Sequence, residues 1–104
     1  MIDLKGDEIK IIFKILNQYA PNCEVRVFGS RVKGKAKKYS DLDIALVGEQ
    51  KFDWKLIADI KEAFQESDLI FRVDVLDWYA ISPEFRKIIE CKYEVLEPHS
   101  FLAC

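Results

Sequence analysis

The sequence of 104 residues predicts a small α/β domain. Segments with apolar residues at helical spacing alternate along the chain with short runs rich in β-branched residues, which is the order expected of such a domain. Half of the residues are hydrophobic and a third are charged, as in a folded globular chain. We find no internal repeat, linker or low-complexity stretch, so we expect residues 1–104 to form a single domain.

The first half of the chain is predicted to hold a helix and two strands. Residues 7–20 have apolar side chains at the spacing of one helix face, and a proline follows them. Residues 23–28 alternate apolar and charged side chains, which indicates a half-buried strand that ends at Gly29-Ser30. A basic segment, predicted to be a loop or a short helix, leads to a second strand over residues 41–48.

The second half is predicted to hold two helices and two further strands. Asp53 is placed to cap the first of these helices. Residues 71–78 alternate valines with polar residues and predict a third strand. Ser82-Pro83 predicts the start of the next helix, because proline favours the first helical position. Residues 93–96 predict a short last strand.

The net charge is −2, from 16 Lys and Arg against 18 Asp and Glu, but the cations are unevenly placed. Residues 31–38 hold five of them and no acidic residue. A cationic island in an acidic chain indicates a local anionic ligand, and the alternative is a solvated basic loop. We see no RNA- or DNA-binding signature, so direct nucleic-acid binding is not expected.

Cysteine content and hydropathy limit the class of protein further. Cys23, Cys91 and Cys104 are an odd number without a Cys-x-x-Cys pair, which argues against a disulfide framework or a structural zinc site, and we expect Cys23 and Cys91 to be buried. The one histidine, His99, lies in the C-terminal tail, where a catalytic triad is not expected. Apolar runs are far shorter than the ~20 residues of a membrane span, and no signal peptide is visible. We therefore expect a soluble protein of the cytoplasm without a membrane partner.

Asp41 and Asp43 are the strongest candidates for chemistry. They are separated by one residue on a predicted strand, so both carboxylates emerge on one face while Leu42 and Ile44 enter the core. Two carboxylates this close repel each other, and a divalent cation removes the repulsion. Mg²⁺ prefers oxygen ligands and takes its remaining ligands from water and substrate phosphates. The pair therefore predicts a magnesium site.

Residues suited to binding phosphate lie shortly before this pair. Gly29 permits close backbone approach, and the Ser30 hydroxyl and nearby N–H groups can hold phosphate oxygens. Arg31, Lys33 and Lys35 follow and can neutralise a triphosphate. A phosphate site is therefore predicted beside the magnesium site.

A third carboxylate, Asp74, lies on the next predicted strand between Val73 and Val75. The valines point into the core, so Asp74 points away from it and can face the earlier pair if the two strands are adjacent. Three carboxylates can hold two metal ions, which clamp the attacking and leaving oxygens of a displacement at phosphorus. Asp77 is a weaker candidate, because it is predicted to lie on the opposite face at the end of the strand.

The Gly29-Ser30 and Asp41-Leu42-Asp43 motifs, separated by ten residues, resemble the GSx10DxD signature of the DNA polymerase β-like nucleotidyltransferase superfamily. With the basic segment between them, they resemble its smallest branch, the MNT (minimal nucleotidyltransferase) family, which includes the MntA-type antitoxins encoded beside HEPN toxins. The resemblance covers essentially the whole chain. It implies the small nucleotidyltransferase fold, a mixed β-sheet of three to four strands flanked by helices.

The resemblance also implies an activity and its site residues. Family members transfer NMP from an NTP and release pyrophosphate, and in MntA-type antitoxins AMP from ATP passes to a tyrosine of the HEPN partner. The metal-binding catalytic carboxylates correspond to Asp41, Asp43 and Asp74, which implies two Mg²⁺ ions. The residues that hold the nucleotide's phosphates correspond to Gly29, Ser30, Arg31 and Lys33.

Two other functions remain open. One is a non-catalytic, nucleotide-binding antitoxin that inhibits its partner by binding alone, and the other is a small-molecule nucleotidyltransferase of the antibiotic-modifying type. Larger members of the superfamily add a domain that recognises the acceptor, and this sequence shows none. Acceptor specificity is therefore expected to come from a partner protein or a second copy of the chain. Trp54, Trp78 and Tyr79 are candidates either for such a surface or for the core.

Overall fold

The computed structural model describes residues 2, 4–34, 37 and 39–97 of the chain. Within them it contains four helices and four strands, in the order that the sequence predicts. In chain order the elements are α1 (Gly6–Tyr19), β1 (Glu24–Phe28), α2 (Ser30–Lys33), β2 (Leu42–Val47), α3 (Trp54–Gln65), β3 (Val73–Asp77), α4 (Pro83–Cys91) and β4 (Glu94–Leu96). None of the helices in these described ranges is long and apolar enough to cross a membrane.

Two helices begin at the capping residues that the sequence predicts. The Asp53 carboxylate accepts a hydrogen bond of 3.0 Å from the backbone N–H of Lys55 at the start of α3. The Ser82 hydroxyl accepts one of 3.2 Å from the N–H of Phe85, and Pro83 occupies the first turn of α4. Because each cap satisfies an N–H that the helix leaves unpaired, the local sequence fixes where α3 and α4 start.

The strands form one four-stranded sheet in the order β3-β2-β1-β4. β1 pairs antiparallel with β2 and with β4, whereas β2 and β3, joined through α3, are parallel. The predicted α/β class, with a mixed sheet of three to four strands flanked by helices, is therefore confirmed. The register places Phe28 beside Asp43 and Asp43 beside Asp74, so these three residues stand in a row across the sheet.

The two faces of the sheet bury different apolar residues. On one face α1 and α3 cover the larger core, to which the strands contribute Val25, Val27, Leu42, Ile44, Leu46, Val73 and Val75. On the other face α4 covers a smaller cluster around Ala45, Trp78 and Ile89. Side chains alternate along a strand, so Asp43 and Asp74 lie on this second face. The carboxylates are thereby kept away from the core under α1 and α3.

The exposed fraction of each side chain shows which of the three candidate aromatic residues lie in the core and which lie on the surface. Trp78 is 9% exposed and belongs to the core beneath α4, whereas Trp54 is 74% exposed and Tyr79 is 40% exposed. Only the latter two are accessible to a partner.

The cysteines differ in the same way. Cys23 is half-buried, but the prediction that Cys91 is buried is wrong, because it lies exposed in the last turn of α4. The inward face of that helix passes through Ile89, and a residue two positions later is rotated toward solvent. His99 and Cys104 lie outside the described residues.

Candidate active site

Asp43 and Asp74 form the centre of the candidate active site. They are direct neighbours in the parallel register of β2 and β3, and their side chains are close enough for protonated Asp43 to donate a hydrogen bond to Asp74. The prediction that the two strands are adjacent is confirmed, and Asp74 faces Asp43 of the earlier pair. Because β3 is an edge strand, the pair lies next to an open side of the sheet.

Asp43 has too little positive charge around it to keep its carboxylate ionised down to the usual pH. Its pKa is raised from 3.8 to about 6, chiefly because burial penalises the charged form. The negative charges of Asp74 and Asp41 act in the same direction, and the guanidinium of Arg72 opposes them. A bound cation would supply the missing counter-charge.

This raised pKa predicts a pH dependence of stability in the metal-free protein. Between pH 4 and pH 6 the folded state retains a proton on Asp43 that the unfolded chain has released, so the free energy of unfolding falls as the pH rises through this window. We expect a fall of about 1 kcal/mol, because solvent screens this partly exposed group. Chemical denaturation across the pH range measures it. Asp43→Asn is the control, and an identical pH profile in that variant would contradict the prediction.

Arg72 is a site residue that the sequence analysis did not identify. Its Nη2 lies 3.0 Å from Oδ1 of Asp74. Both side chains reach solvent, so the ion pair adds little stability, but it sets a cation beside the carboxylates. The signal is present in the sequence, because two residues separated by one position on a strand share a face.

The three predicted carboxylates are brought together only in part. Asp41 immediately precedes β2 and is exposed, and it acts on Asp43 through its charge. Among the residues that the structure describes, no three acidic, histidine or cysteine side chains are already arranged as a metal cage. The donor set still fits Mg²⁺, since two carboxylates in contact with a third beside them offer only oxygen ligands and leave positions for water and phosphate.

Gly29 joins β1 to α2 and packs directly against Asp43. Its φ of +82° lies in the left-handed region that favours glycine, and a β-carbon at this position would overlap Oδ2 of Asp43. The Gly29 carbonyl accepts hydrogen bonds from the N–H groups of Val32 and Lys33, both at 3.1 Å, which close the single turn of α2. The Gly29-Ser30 turn is therefore in contact with Asp43.

The two cations of α2 differ in their surroundings. Arg31 is buried, and its guanidinium donates hydrogen bonds to the backbone carbonyl of Ser40. Lys33 is exposed to solvent. Lys35, the next predicted phosphate ligand, lies outside the described residues. Of the two, Lys33 is the one that an incoming anion meets from solvent.

A cleft of about 240 Å³ adjoins the carboxylate pair. Asp43 and Asp74 line it together with Phe28 and Phe85, whose rings pack edge to face with their centroids 6.0 Å apart. Lys61 borders this cleft and also a second one of about 560 Å³ along the edge strand β3. Asp74 lines both clefts, so it is accessible from the sheet edge as well as from the cleft beside the two phenylalanines.

Asp77 is a structural residue, as its predicted position on the opposite face suggested. Its carboxylate is buried and accepts hydrogen bonds from the backbone N–H groups of Phe52, at 2.8 Å, and Tyr79, at 3.1 Å. These bonds fix the loop before α3 and the turn after β3.

Replacing Asp77 with alanine is expected to destabilise the fold by about 2–3 kcal/mol, because it leaves two backbone N–H groups without their acceptor. Transfer activity measured well below the melting temperature should stay unchanged. Thermal denaturation and an activity assay of the same preparation check both statements. Loss of activity in a folded variant would instead place Asp77 in the site.

Paired carboxylates on adjacent strands, with a glycine-serine turn packed against Asp43, are the arrangement expected of a metal-dependent displacement at phosphorus. Comparison with known proteins agrees. The model of the nucleotidyltransferase domain family matches residues 9–97. The chain therefore belongs to the nucleotidyltransferase family, as its motifs predict, and it is a transferase.

Similar proteins extend this finding. The "Probable protein adenylyltransferase MntA" of Haemophilus influenzae is 51% identical over 96 residues, which span 92% of this chain and 84% of that protein. A crystal structure of a toxin-antitoxin with AMP-PNP is similar with a TM-score of 0.65 and 23% identity, over 90% of this chain and 73% of that one. A mutant of the toxin-antitoxin MntA-HpeT is similar with a TM-score of 0.72 and 21% identity, over the same shares. At these identities the two structures establish the shared fold.

Proposed function

We propose that the chain is a Mg²⁺-dependent protein adenylyltransferase that acts as the antitoxin of a toxin–antitoxin pair. It transfers AMP from ATP to a tyrosine hydroxyl of a HEPN-type toxin and thereby silences it. The observation that carries the proposal is the contact between Asp43 and Asp74 beside the Gly29 turn, because it brings carboxylates that would hold a metal next to a turn that would hold phosphate. The similarity to the Haemophilus influenzae adenylyltransferase supports AMP as the transferred group.

The carboxylates provide the metal site and the base. Asp41, Asp43 and Asp74 would hold two Mg²⁺ ions, which neutralise phosphate charge and lower the pKa of the acceptor hydroxyl. Asp74, which lines both clefts, would take the proton of that hydroxyl. The hydroxyl oxygen then bonds to the α-phosphorus of ATP. The bond from that phosphorus to the bridging oxygen breaks, and pyrophosphate leaves.

The turn after β1 supplies the phosphate contacts. Gly29 lets the backbone approach the nucleotide closely, and the Ser30 hydroxyl donates to a phosphate oxygen. Lys33 pairs with the negative charge of the triphosphate when ATP binds. It can do so because its side chain is exposed on α2 rather than used within the fold.

The acceptor is supplied by another molecule. Residues 1–104 act as one minimal domain in the cytoplasm, where ATP and Mg²⁺ are available. The toxin, or a second copy of the chain in a dimer or hetero-oligomer, presents the acceptor hydroxyl at the open edge of β3. The exposed aromatic residues Trp54 and Tyr79 are candidates for that contact surface.

One observation favours a second candidate, an antitoxin that binds nucleotide and inhibits its toxin by occupancy alone. Arg72 already pairs with Asp74, and Asp41 lies outside the contact between the other two carboxylates. Catalysis therefore requires these side chains to rearrange when metal and nucleotide bind, whereas simple occlusion of the toxin does not.

Intact-mass spectrometry separates the two candidates. The chain is incubated with the protein encoded by the neighbouring gene, ATP and Mg²⁺, and the partner's mass is expected to rise by one AMP unit at a tyrosine. Omission of Mg²⁺ is the control. Inhibition of the partner without any gain in mass would contradict the proposal and support the binding-only antitoxin, and AMP transfer to a small alcohol alone would indicate a small-molecule enzyme.

A further inference from the structure

We propose that Arg31 is a positioning residue that fixes the chain segments carrying Asp41 and Asp74, rather than a ligand of the nucleotide's phosphates. This inference rests on the proposed function for its kinetic effects. It departs from the role that the resemblance implies for the basic position after Ser30.

The hydrogen bonds of Arg31 hold the segment that enters β2. The side chain is 5% exposed, and its Nε and Nη2 both donate to the carbonyl of Ser40, at 3.2 and 2.8 Å. Ser40 is the residue before Asp41. Its hydroxyl also accepts a bond of 2.8 Å from the N–H of Lys37, so this turn is held from both sides. The backbone position from which Asp41 projects therefore depends on Arg31.

The same guanidinium also contacts the segment that enters β3. It lies 4.1 Å from the ring centroid of Phe71, which is itself buried. Phe71 is followed by Arg72, whose carbonyl accepts a hydrogen bond of 2.8 Å from the N–H of Leu42. Arg31 therefore sits where the starts of the two carboxylate-bearing strands meet.

The chemistry of the Arg31 side chain suits it better to holding two backbone segments in place than to binding phosphate. A guanidinium is planar, donates in a fixed fork and stacks on an aromatic ring, and a lysine ammonium cannot do all three. The two N–H groups directed at Ser40 would have to leave that carbonyl before meeting a phosphate. A buried cation is retained only where such contacts replace its hydration. Lys33, exposed on the same short helix, needs no such rearrangement to meet an anion.

The test compares Arg31→Lys with Lys33→Ala and with Lys37→Ala, a charge removal outside the site. For Arg31→Lys we expect kcat to fall by about 10- to 100-fold and the Mg²⁺ requirement to rise, with little change in the KM for ATP. For Lys33→Ala we expect mainly a higher KM for ATP. If Arg31 were instead a phosphate ligand, Arg31→Lys would raise the KM for ATP and leave kcat and the Mg²⁺ requirement unchanged. That result would overturn the inference.

Mn²⁺ binding, measured by paramagnetic resonance without turnover, separates this inference from the proposed function. Weaker Mn²⁺ binding by folded Arg31→Lys supports positioning even if the wild-type chain transfers no AMP, and unchanged binding contradicts it. If Arg31→Lys does not fold, Phe71→Leu removes the ring contact while leaving the Ser40 bonds. For Phe71→Leu we expect the same changes in kcat, Mg²⁺ requirement and Mn²⁺ binding, but smaller. Wild-type values of all three would overturn the inference.

Discussion

Asp43→Asn is expected to reduce AMP transfer by about a thousandfold or more while the fold stays intact. Asp43 lies between Gly29 and Asp74, so its carboxylate contacts both the glycine-serine turn and the third acid. An amide at this position keeps the shape but loses the charge that a divalent cation needs. In the metal-free protein the variant should be at least as stable as wild type near neutral pH, because the substitution removes the partly buried charge, whose burial chiefly raises the pKa of Asp43, and with it the repulsion by Asp74 and Asp41.

Labelled ATP, Mg²⁺ and the partner protein give the rate, and circular dichroism with a thermal melt gives the fold. Asp59→Asn makes the same chemical change on the exposed surface of α3 and should behave as wild type. A normal rate in Asp43→Asn would remove the metal-dependent mechanism altogether. A general loss of structure would mean that the residue acts in folding instead.

Local sequence rules were sufficient to predict the roles of residues whose contacts lie within a few positions along the chain. The capping residues Asp53 and Ser82 could be placed from the sequence, because each acts on N–H groups two or three positions away. Alternation along two strands likewise placed Asp43 and Asp74 on one side and Asp77 on the other. The active-site pair could therefore be predicted once the two strands were assumed adjacent.

The parts that could not be predicted depend on contacts between distant segments. Nothing local indicates that Arg31 is buried, because its partners, Ser40 and Phe71, come from other segments and meet it only in the fold. The same holds for Phe28 and Phe85, which form one wall of the cleft from a strand and a helix far apart in the chain. A basic residue after a glycine-serine turn therefore looks like a phosphate ligand until the packing around it is known.

Gly29→Ala is expected to reduce AMP transfer by about a hundredfold or more and to destabilise the fold by about 1–3 kcal/mol. Two effects act together. The φ of +82° disfavours any residue with a β-carbon, and the added carbon would overlap the carboxylate of Asp43. Relief of that overlap requires Asp43 or the turn to move, and either movement separates the phosphate contacts from the metal ligands.

Gly34→Ala is the matched control, because it introduces the backbone strain without the overlap with a carboxylate. Gly34 ends α2 with a similar φ of +75°, but a β-carbon there meets no atom of the described residues within 4 Å. This variant should lose about 1 kcal/mol of stability and keep wild-type transfer, because only its backbone is strained. Melting curves and transfer rates of the two variants, measured side by side, make the comparison. Equal rates would show that the contact between Gly29 and Asp43 is not needed for transfer, whereas a loss confined to Gly29→Ala would tie activity to the close approach of the turn and the carboxylate.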